Sequence, residues 1–92
     1  MSVVLAKLPQ TSGSYVYILR CGNDALYTGW TTDIRRRFYC HSIGKGAKYT
    51  RAHRPLELYY MEACENRIAA QKREAEIKQY TRQQKLALKK NR

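Results

Sequence analysis

The chain has no long hydrophobic run. No stretch of its 92 residues approaches the roughly 20 consecutive apolar residues that a transmembrane helix needs, and the segment from Met1 to Leu8 is too short for the apolar region of a signal peptide. We therefore expect a cytoplasmic protein without a membrane partner. Internal repeats and low-complexity segments are also missing, which argues against a repeat architecture.

Cysteine is sparse, and its three copies, Cys21, Cys40 and Cys64, leave at least one thiol unpaired. None of them forms a Cys-x-x-Cys pair, so a reducing compartment is favoured. Adjacent Cys40 and His41 would point about 100° apart on a helix, which suits a shared zinc ion poorly. The sequence leaves the role of the three thiols open.

Acidic residues are few as well. Eighteen Lys and Arg residues face only seven Asp and Glu residues, and the net charge of +11 predicts attraction to polyanions. Lys and Arg outnumber acidic residues in both residues 35–54 and the C-terminal third of the chain. A surface that serves only solubility usually mixes positive and negative charges. A basic helix lying on an anionic membrane would want large apolar residues along one face, and the terminal segment offers only Leu86 and Leu88. Nucleic acid is the favoured partner.

Local patterns predict a single domain over residues 14–92, preceded by a flexible lead-in at residues 1–13 that contains Pro9. Aromatic and β-branched residues predict strands at 15–20 and 26–30, joined as a hairpin by a Gly-Asn-Asp turn. Alternation places Tyr15, Tyr17 and Leu19 on one face of the first strand, and Val16 and Ile18 on the other. Tyr27 and Gly29 likewise share a face of the second strand.

Capping residues and helical spacing predict the remaining elements. Thr31, Thr32 and Asp33 are candidate N-caps for the first helix, in which Ile34, Phe38 and Cys40 or His41 recur at helical spacing. A later helix should carry Ile68, Ala69 and Ile77, and the last helix should begin with a capping box at Thr81–Gln84. In the third strand, Leu56, Leu58 and Tyr60 should share a face. The predicted segments are a helix at 34–42, a basic loop at 45–54, a strand at 56–61, and helices at 66–80 and 81–90. This order is α+β: a small three-stranded, mostly antiparallel sheet flanked by helices.

Two short motifs stand on the predicted hairpin, and three polar residues follow them. The motifs are Tyr15-Val16-Tyr17 and Tyr27-Thr28-Gly29, and the polar residues are Arg37, His41 and Glu74. This constellation resembles the GIY-YIG nuclease superfamily over residues 14–82. The segments 15–21, 44–51 and 73–78 are most similar to its short stand-alone bacterial members, the YhbQ-like group. Tyr15 stands where the family has Gly, Val16 and Thr28 stand where it has Ile, and Trp30 follows Gly29 where some members have a small residue or Lys.

The resemblance implies an endonuclease with Tyr17, Tyr27, Arg37, His41 and Glu74 as catalytic residues. Arg37 and His41 lie four residues apart and so share a helical face, and a guanidinium matches two phosphate oxygens. A lone carboxylate near a phosphate is repulsive unless a cation lies between them, which makes Glu74 the ligand of one Mg²⁺ or Mn²⁺ ion. A tyrosine then serves as general base with help from nearby cations, while His41 either accepts its proton or orders the network. The residues do not decide which tyrosine acts.

Each of these residues also has a plainer explanation. The tyrosines can be ordinary sheet aromatics, and His41 can interact with the dipole at a helix C-terminus. Arg37 can be one of several solvated phosphate contacts, and Glu74 can pair with Lys78 on the next turn. Trp30 can be either a stacking platform or a core aromatic.

A second group of basic and aromatic residues is predicted to bind nucleic acid. The basic side chains would contact the phosphate backbone and the tyrosine would stack on an exposed base, which suits recognition of shape or of single strands. The chain shows no helix-turn-helix or zinc finger, so a protein partner would have to supply sequence specificity to a monomer or weak dimer. The alternative is a flexible basic loop without a partner. The residues are Arg35, Arg36, Lys45, Lys48, Tyr49, Arg51 and Arg54.

Three functions compete at this point. The first is a magnesium-dependent endonuclease of DNA repair or recombination type, directed by the structure of its substrate and not by base sequence. The second is a DNA- or RNA-binding module that uses the same basic surface with little or no cleavage. The third is an RNA-associated basic protein whose binding is indifferent to Glu74 and prefers structured RNA. Only the first requires the carboxylate at position 74.

Overall fold

The computed structural model describes residues 13–48 and 52–90. Within these residues the elements follow the predicted strand, strand, helix, strand, helix, helix order, so the α+β prediction is confirmed. The predicted lead-in lies outside the described residues except for Gly13. The elements are β1 (Ser14–Cys21), β2 (Leu26–Thr31), α1 (Ile34–Ser42), β3 (Pro55–Cys64), α2 (Arg67–Lys78) and α3 (Arg82–Lys90).

The three strands form one sheet in the order β2-β1-β3, and both pairings are antiparallel. The β1–β2 hairpin sets Tyr17 opposite Gly29 and Leu19 opposite Tyr27. Because directly opposed residues lie on the same face of a sheet, this register brings the two motif tyrosines onto one face.

Helices cover both faces of the sheet. On one face, Tyr17 and Leu19 pack with Ile34 and Phe38 of α1, and Tyr27 lies against this cluster. On the other face, residues of β1 and β3 pack with α2 and are joined at the margin by Trp30 and Leu88; the buried members are Val16, Ile18, Tyr60, Ala70 and Ile77. The predicted division of β1 between the two faces is confirmed.

A β-bulge in β3 overturns one prediction. Ile18 pairs with Tyr60 but Leu19 pairs with Leu58, so Tyr59 is an extra residue in β3. The extra residue reverses the alternation, and Leu58 and Tyr60 therefore lie on opposite faces. The prediction that they share a face is wrong because strict alternation assumes an unbroken ladder.

Side-chain caps define the helix starts. Asp33 accepts a hydrogen bond from the backbone amide of Arg36 at 3.1 Å, which selects it among the three candidate caps of α1. At the start of α3 both capping-box bonds form: Gln84 N to Thr81 Oγ1 at 3.2 Å and Thr81 N to Gln84 Oε1 at 2.8 Å. The predicted helix with Ile68, Ala69 and Ile77 is present as α2; its buried positions are Ala70 and Ile77, whereas Ile68 is 65% exposed.

One buried polar group should cost stability. Thr28 of β2 is 3% exposed, and its hydroxyl has no hydrogen-bond partner among the described residues. Since an unsatisfied buried hydroxyl is unfavourable, we expect Thr28→Val to raise the free energy of unfolding by about 1 kcal/mol. Urea denaturation of both proteins measures this change. A variant less stable than the parent would mean that the hydroxyl is satisfied.

The helices found in residues 13–48 and 52–90 are all too short or too polar to cross a bilayer.

Candidate active site

The centre of the site is a buried contact between β1 and α1. The Tyr17 hydroxyl lies 2.9 Å from Nε2 of His41, and the two side chains are 1% and 0% exposed. Ile34, Phe38 and His41 form the buried stripe of α1, which answers the earlier choice between Cys40 and His41 for the core-facing position. The helix therefore presents an imidazole to the sheet where a core residue would normally stand.

Two glycines make room for this pair. A Cβ atom on Gly29 would lie 2.5 Å from the Tyr17 hydroxyl oxygen, and one on Gly46 would lie 2.3 Å from Nδ1 of His41. Side-chain carbon atoms do not approach other atoms this closely. Any larger residue at either position would therefore displace the tyrosine or the imidazole.

Arg37 lies one turn before His41, close enough to Tyr17 for the two side chains to shift each other's pKa. Burial opposes the charge of Arg37, but the nearby phenol of Tyr17 outweighs this effect, so the pKa of Arg37 lies above its ordinary value. The guanidinium is only partly buried. It remains charged at all relevant pH values and can be reached by a ligand.

Burial shifts the pKa values of both Tyr17 and His41. It raises the pKa of Tyr17 to about 12, against the opposing effect of Arg37. Burial, followed by the charge of Arg37, lowers the pKa of His41 to about 4. At neutral pH the phenol is thus protonated and the imidazole is neutral. Since a guanidinium can only donate, this arrangement favours donation from the Tyr17 hydroxyl to Nε2 of His41.

Tyr27 completes the aromatic part of the site. Its ring centroid lies 5.3 Å from that of His41, at an interplanar angle of 58°. Unlike Tyr17, it is only partly buried, and it lines an open cleft of about 370 Å³ together with Leu26, Thr28, Lys78 and Lys85. Tyr27 is therefore the phenol of the pair that solvent can reach.

Glu74 is the acidic residue of α2 whose charge reaches Tyr17. Its negative charge contributes to the raised pKa of Tyr17, and its side chain is 21% exposed. It also forms an ion pair with Lys78, with 3.5 Å between Oε2 and Nζ. The ion pair given above as the alternative explanation for Glu74 is therefore present. The Lys78 side chain is 54% exposed, so the pair is not sealed from solvent.

The donor set fits a hard divalent cation. The described residues contain no group of three or more His, Cys, Asp or Glu side chains able to hold a metal ion. Magnesium, however, commonly takes one or two protein carboxylates and completes its shell with water and substrate oxygens. Glu74 offers a partly exposed carboxylate of this kind, and His41, with its ring nitrogen engaged by Tyr17, is a poor metal ligand.

The structure groups Tyr17, Tyr27, Arg37 and His41 together, and the charge of Glu74 reaches Tyr17 from α2. The predicted nucleic-acid-binding residues are spread more widely. Arg36 lines a cleft of about 520 Å³ with Arg37, and Lys45 and Lys48 are exposed. The guanidinium of Arg54 donates to the carbonyl oxygen of Ser42 at 2.9 Å and lies against Gly44, so it caps the C-terminus of α1. Arg35 is partly buried on α1, while Tyr49 and Arg51 lie outside the described residues.

Sequence reasoning missed three residues around the site. Gly46 packs on His41, and Lys78 lines the cleft beside Tyr27 in addition to pairing with Glu74. Lys85 received no role, yet it lines the cleft beside Tyr27. The Gly-Lys-Gly run at residues 44–46 is the sequence signal for Gly46. No sequence signal indicated Lys85, because its position depends on the start of α3 lying next to β2.

The order of the elements and the resemblance of the hairpin motifs agree with the comparisons with known proteins. The family model described as the GIY-YIG catalytic domain matches residues 13–87. The chain therefore belongs to the GIY-YIG family, whose domain is a nuclease fold.

Within the family, the chain is similar to short proteins named UPF0213. The relative from Clostridium perfringens is 52% identical over 75 residues, which cover 82% of this chain and 81% of the relative. The relative from Staphylococcus aureus is 50% identical over 78 residues, covering 85% and 95%. These matches agree with the predicted resemblance to short stand-alone bacterial members.

Two solution NMR structures have the same fold. The UPF0213 protein BH0048 from Bacillus halodurans is 44% identical to this chain and has a TM-score of 0.52. The match covers 82% of this chain and 80% of the BH0048 chain. A protein from E. faecalis is 40% identical, has a TM-score of 0.62, and covers 90% of each chain.

The buried imidazole predicts a pH-dependent stability. An unfolded His binds its proton near pH 6.5, whereas His41 in the folded state does so only near pH 4. Between these values the unfolded state holds more protons, so the free energy of unfolding falls as the pH decreases and is fully recovered above about pH 6.5. We expect a loss of about 2 kcal/mol between about pH 7 and about pH 5.

Urea denaturation at the two pH values measures this loss. In His41→Gln, which cannot be protonated, the difference between the two pH values should be much smaller. An equal drop in both proteins would contradict the assignment of the effect to His41.

Proposed function

We propose that this protein is an endonuclease that hydrolyses phosphodiester bonds in DNA with the help of one divalent metal ion, Mg²⁺ or Mn²⁺. The observation that carries the proposal is the convergence of Arg37, His41 and the charge of Glu74 on the Tyr17 phenol, next to the solvent-reachable Tyr27. Phosphodiester hydrolysis needs a group that takes a proton from water, a cation at the phosphate and a metal ion or acid at the leaving oxygen, and these residues can supply each of them.

Arg37 would bind the phosphate that is cut. A guanidinium presents two parallel N–H donors to two phosphate oxygens, and its charge offsets the charge that develops in the transition state. Arg37 is partly buried beside Tyr17, which reduces the freedom that its side chain would otherwise lose on binding. Arg36, in the same cleft, would contact a neighbouring phosphate.

The two tyrosines would divide the remaining work. Tyr17 is buried, and its pKa of about 12 keeps it protonated, which suits a positioning residue that bonds His41 and lies beside Arg37. Tyr27 is reachable by water, which suits the general base or the first relay for the proton of the attacking water. Glu74 would hold the metal ion, which when bound supplies charge neutralisation at the phosphate and at the leaving oxygen.

The basic surface suits recognition of DNA shape, with no dedicated sequence-reading motif among the described residues. Backbone contacts by Arg and Lys are indifferent to sequence, so we place the protein among repair or recombination nucleases of the cytoplasm that act on structured DNA. A partner protein would supply any further specificity.

The ion pair between Glu74 and Lys78 favours a second candidate. If Lys78 keeps the carboxylate engaged, the same surface is a nucleic-acid-binding module with little cleavage. Labelled branched, nicked, single-stranded and duplex DNA, together with structured RNA, separate the two functions when incubated with Mg²⁺ or with chelator. The endonuclease yields metal-dependent products from at least one DNA substrate. Tight binding with no product under any condition would establish the binding module.

A further inference from the structure

A groove leads away from the candidate active site along the outer edge of the sheet. The cleft of Leu26, Tyr27, Thr28, Lys78 and Lys85 is followed by a second cleft of about 170 Å³. Both clefts are lined by Leu26 and Lys85, so they adjoin each other, and we call the two together the β2-edge groove. The residues that line the second cleft are Ala25, Leu26, Tyr80, Arg82 and Lys85.

Three basic side chains line the groove: Lys78, Arg82 and Lys85. Lys78 pairs with Glu74, and Arg82 pairs with the exposed Asp24 at 3.1 Å. Lys85 differs from both because no described carboxylate lies within ion-pair distance of it. Burial and the charge of Lys78 lower the pKa of Lys85, so the folded protein holds an unpaired ammonium group close to a like charge. An anion bound between the two lysines would relieve this repulsion.

The position of the groove indicates which anion it takes. Tyr27, the solvent-reachable phenol, lines its inner end, and Lys78 contacts the carboxylate of Glu74. If one phosphate of a nucleic-acid strand is bound at Arg37, the nucleotides on either side of it must extend out of the site across its edges. The two clefts are each no larger than a small-ligand pocket, so they suit the backbone of one strand better than the full width of a duplex.

We propose that the β2-edge groove binds the single-stranded backbone on one side of the phosphate that is cut, with Lys85 as the ligand of a flanking phosphate. This inference rests on the proposed function and extends it, since it names the path of the substrate. It also adds Lys85 and Arg82, on α3, to the nucleic-acid-binding surface.

The experiment compares Lys85→Gln with Lys72→Gln, which removes the same charge from an exposed position on α2 that lines neither cleft. Fluorescence anisotropy measures the affinity for a short fluorescein-labelled single-stranded DNA in EDTA over a range of salt concentrations. Lys85→Gln is expected to weaken binding by about tenfold and to reduce the slope of log K against log salt by about one. Lys85→Arg should restore both quantities, while Lys72→Gln should leave the slope near that of the parent.

Equal losses in Lys85→Gln and Lys72→Gln would overturn the proposal, because binding would then respond only to net charge. A second measurement uses the parent and needs no variant: acetylation of Lys85, read by mass spectrometry, should slow several-fold when the DNA is bound, whereas acetylation of Lys72 should not. An unprotected Lys85 would likewise overturn it. Because EDTA prevents metal-dependent cleavage, these results test the groove even if the parent proves to cut nothing.

Discussion

Glu74→Gln is expected to reduce metal-dependent cleavage by about three powers of ten while leaving DNA binding intact. Stabilisation by a bound metal ion is worth several kcal/mol in a transition state, and each 1.4 kcal/mol is a factor of ten in rate. Glutamine has nearly the same shape as glutamate but lacks the charge that would hold the ion. Removing a negative charge beside a phosphate should, if anything, strengthen binding in chelator. Single-turnover cleavage of a labelled DNA and anisotropy on the same DNA measure the two effects.

Glu76→Gln is the matched control. Glu76 lies on the same helix, two residues further on, and its carboxylate pairs with Arg73 at 2.7 Å. Its replacement should leave the cleavage rate near that of the parent. Equal cutting by the parent and Glu74→Gln would instead indicate a contaminating nuclease and remove the basis for assigning chemistry to Glu74.

Arg37→Ala is expected to lower the single-turnover rate constant by about a hundred- to a thousandfold, the usual loss when one donor to the transition state is removed. The loss should fall mainly on the rate constant and less on DNA affinity, because many other bases contact the backbone. Arg37→Lys keeps the charge but not the two-pronged geometry, so we expect it to recover only a small part of the rate. Quenched-flow or manual single-turnover assays at saturating enzyme measure these rates.

Arg67→Ala controls for net charge, since Arg67 is exposed at the start of α2 and lies outside the site. It should cleave at nearly the parental rate. Loss of Arg37 also removes a partner of Tyr17, so urea denaturation should confirm that Arg37→Ala is folded at the assay temperature. A folded Arg37→Ala with an unchanged rate constant would contradict its role at the phosphate.

The elements that could be predicted from the sequence are those fixed by local chemistry. The capping box at Thr81 and the alternation of β1 depend on residues close together in the chain, and both are confirmed. The common face of Arg37 and His41 follows from helical geometry alone, and the structure places both against Tyr17. The family relationship was also readable because the motif residues stand at fixed spacing on these elements.

The features that could not be predicted depend on contacts between distant segments. The bulge at Tyr59 arises from the pairing of β1 with β3, and it moves Leu58 to the face opposite Tyr60. The different environments of Tyr17 and Tyr27 are set by how α1 covers the sheet, which no strand pattern encodes. Lys85 approaches Tyr27 only because α3 folds back to the β2 edge. Local sequence therefore predicted the elements that carry the candidate site residues, but not how burial distinguishes those residues from one another.

The central claim is that one divalent ion binds at Glu74, beside the two tyrosines and Arg37. Paramagnetic line broadening by Mn²⁺ tests it directly, in NMR spectra of the protein bound to a non-cleavable phosphorothioate DNA. The signals of Glu74, Tyr17, Tyr27 and Arg37 should broaden first at substoichiometric Mn²⁺, and Glu74→Gln should abolish this selectivity. Broadening centred elsewhere, or broadening at the tyrosines that persists in Glu74→Gln, would contradict the account.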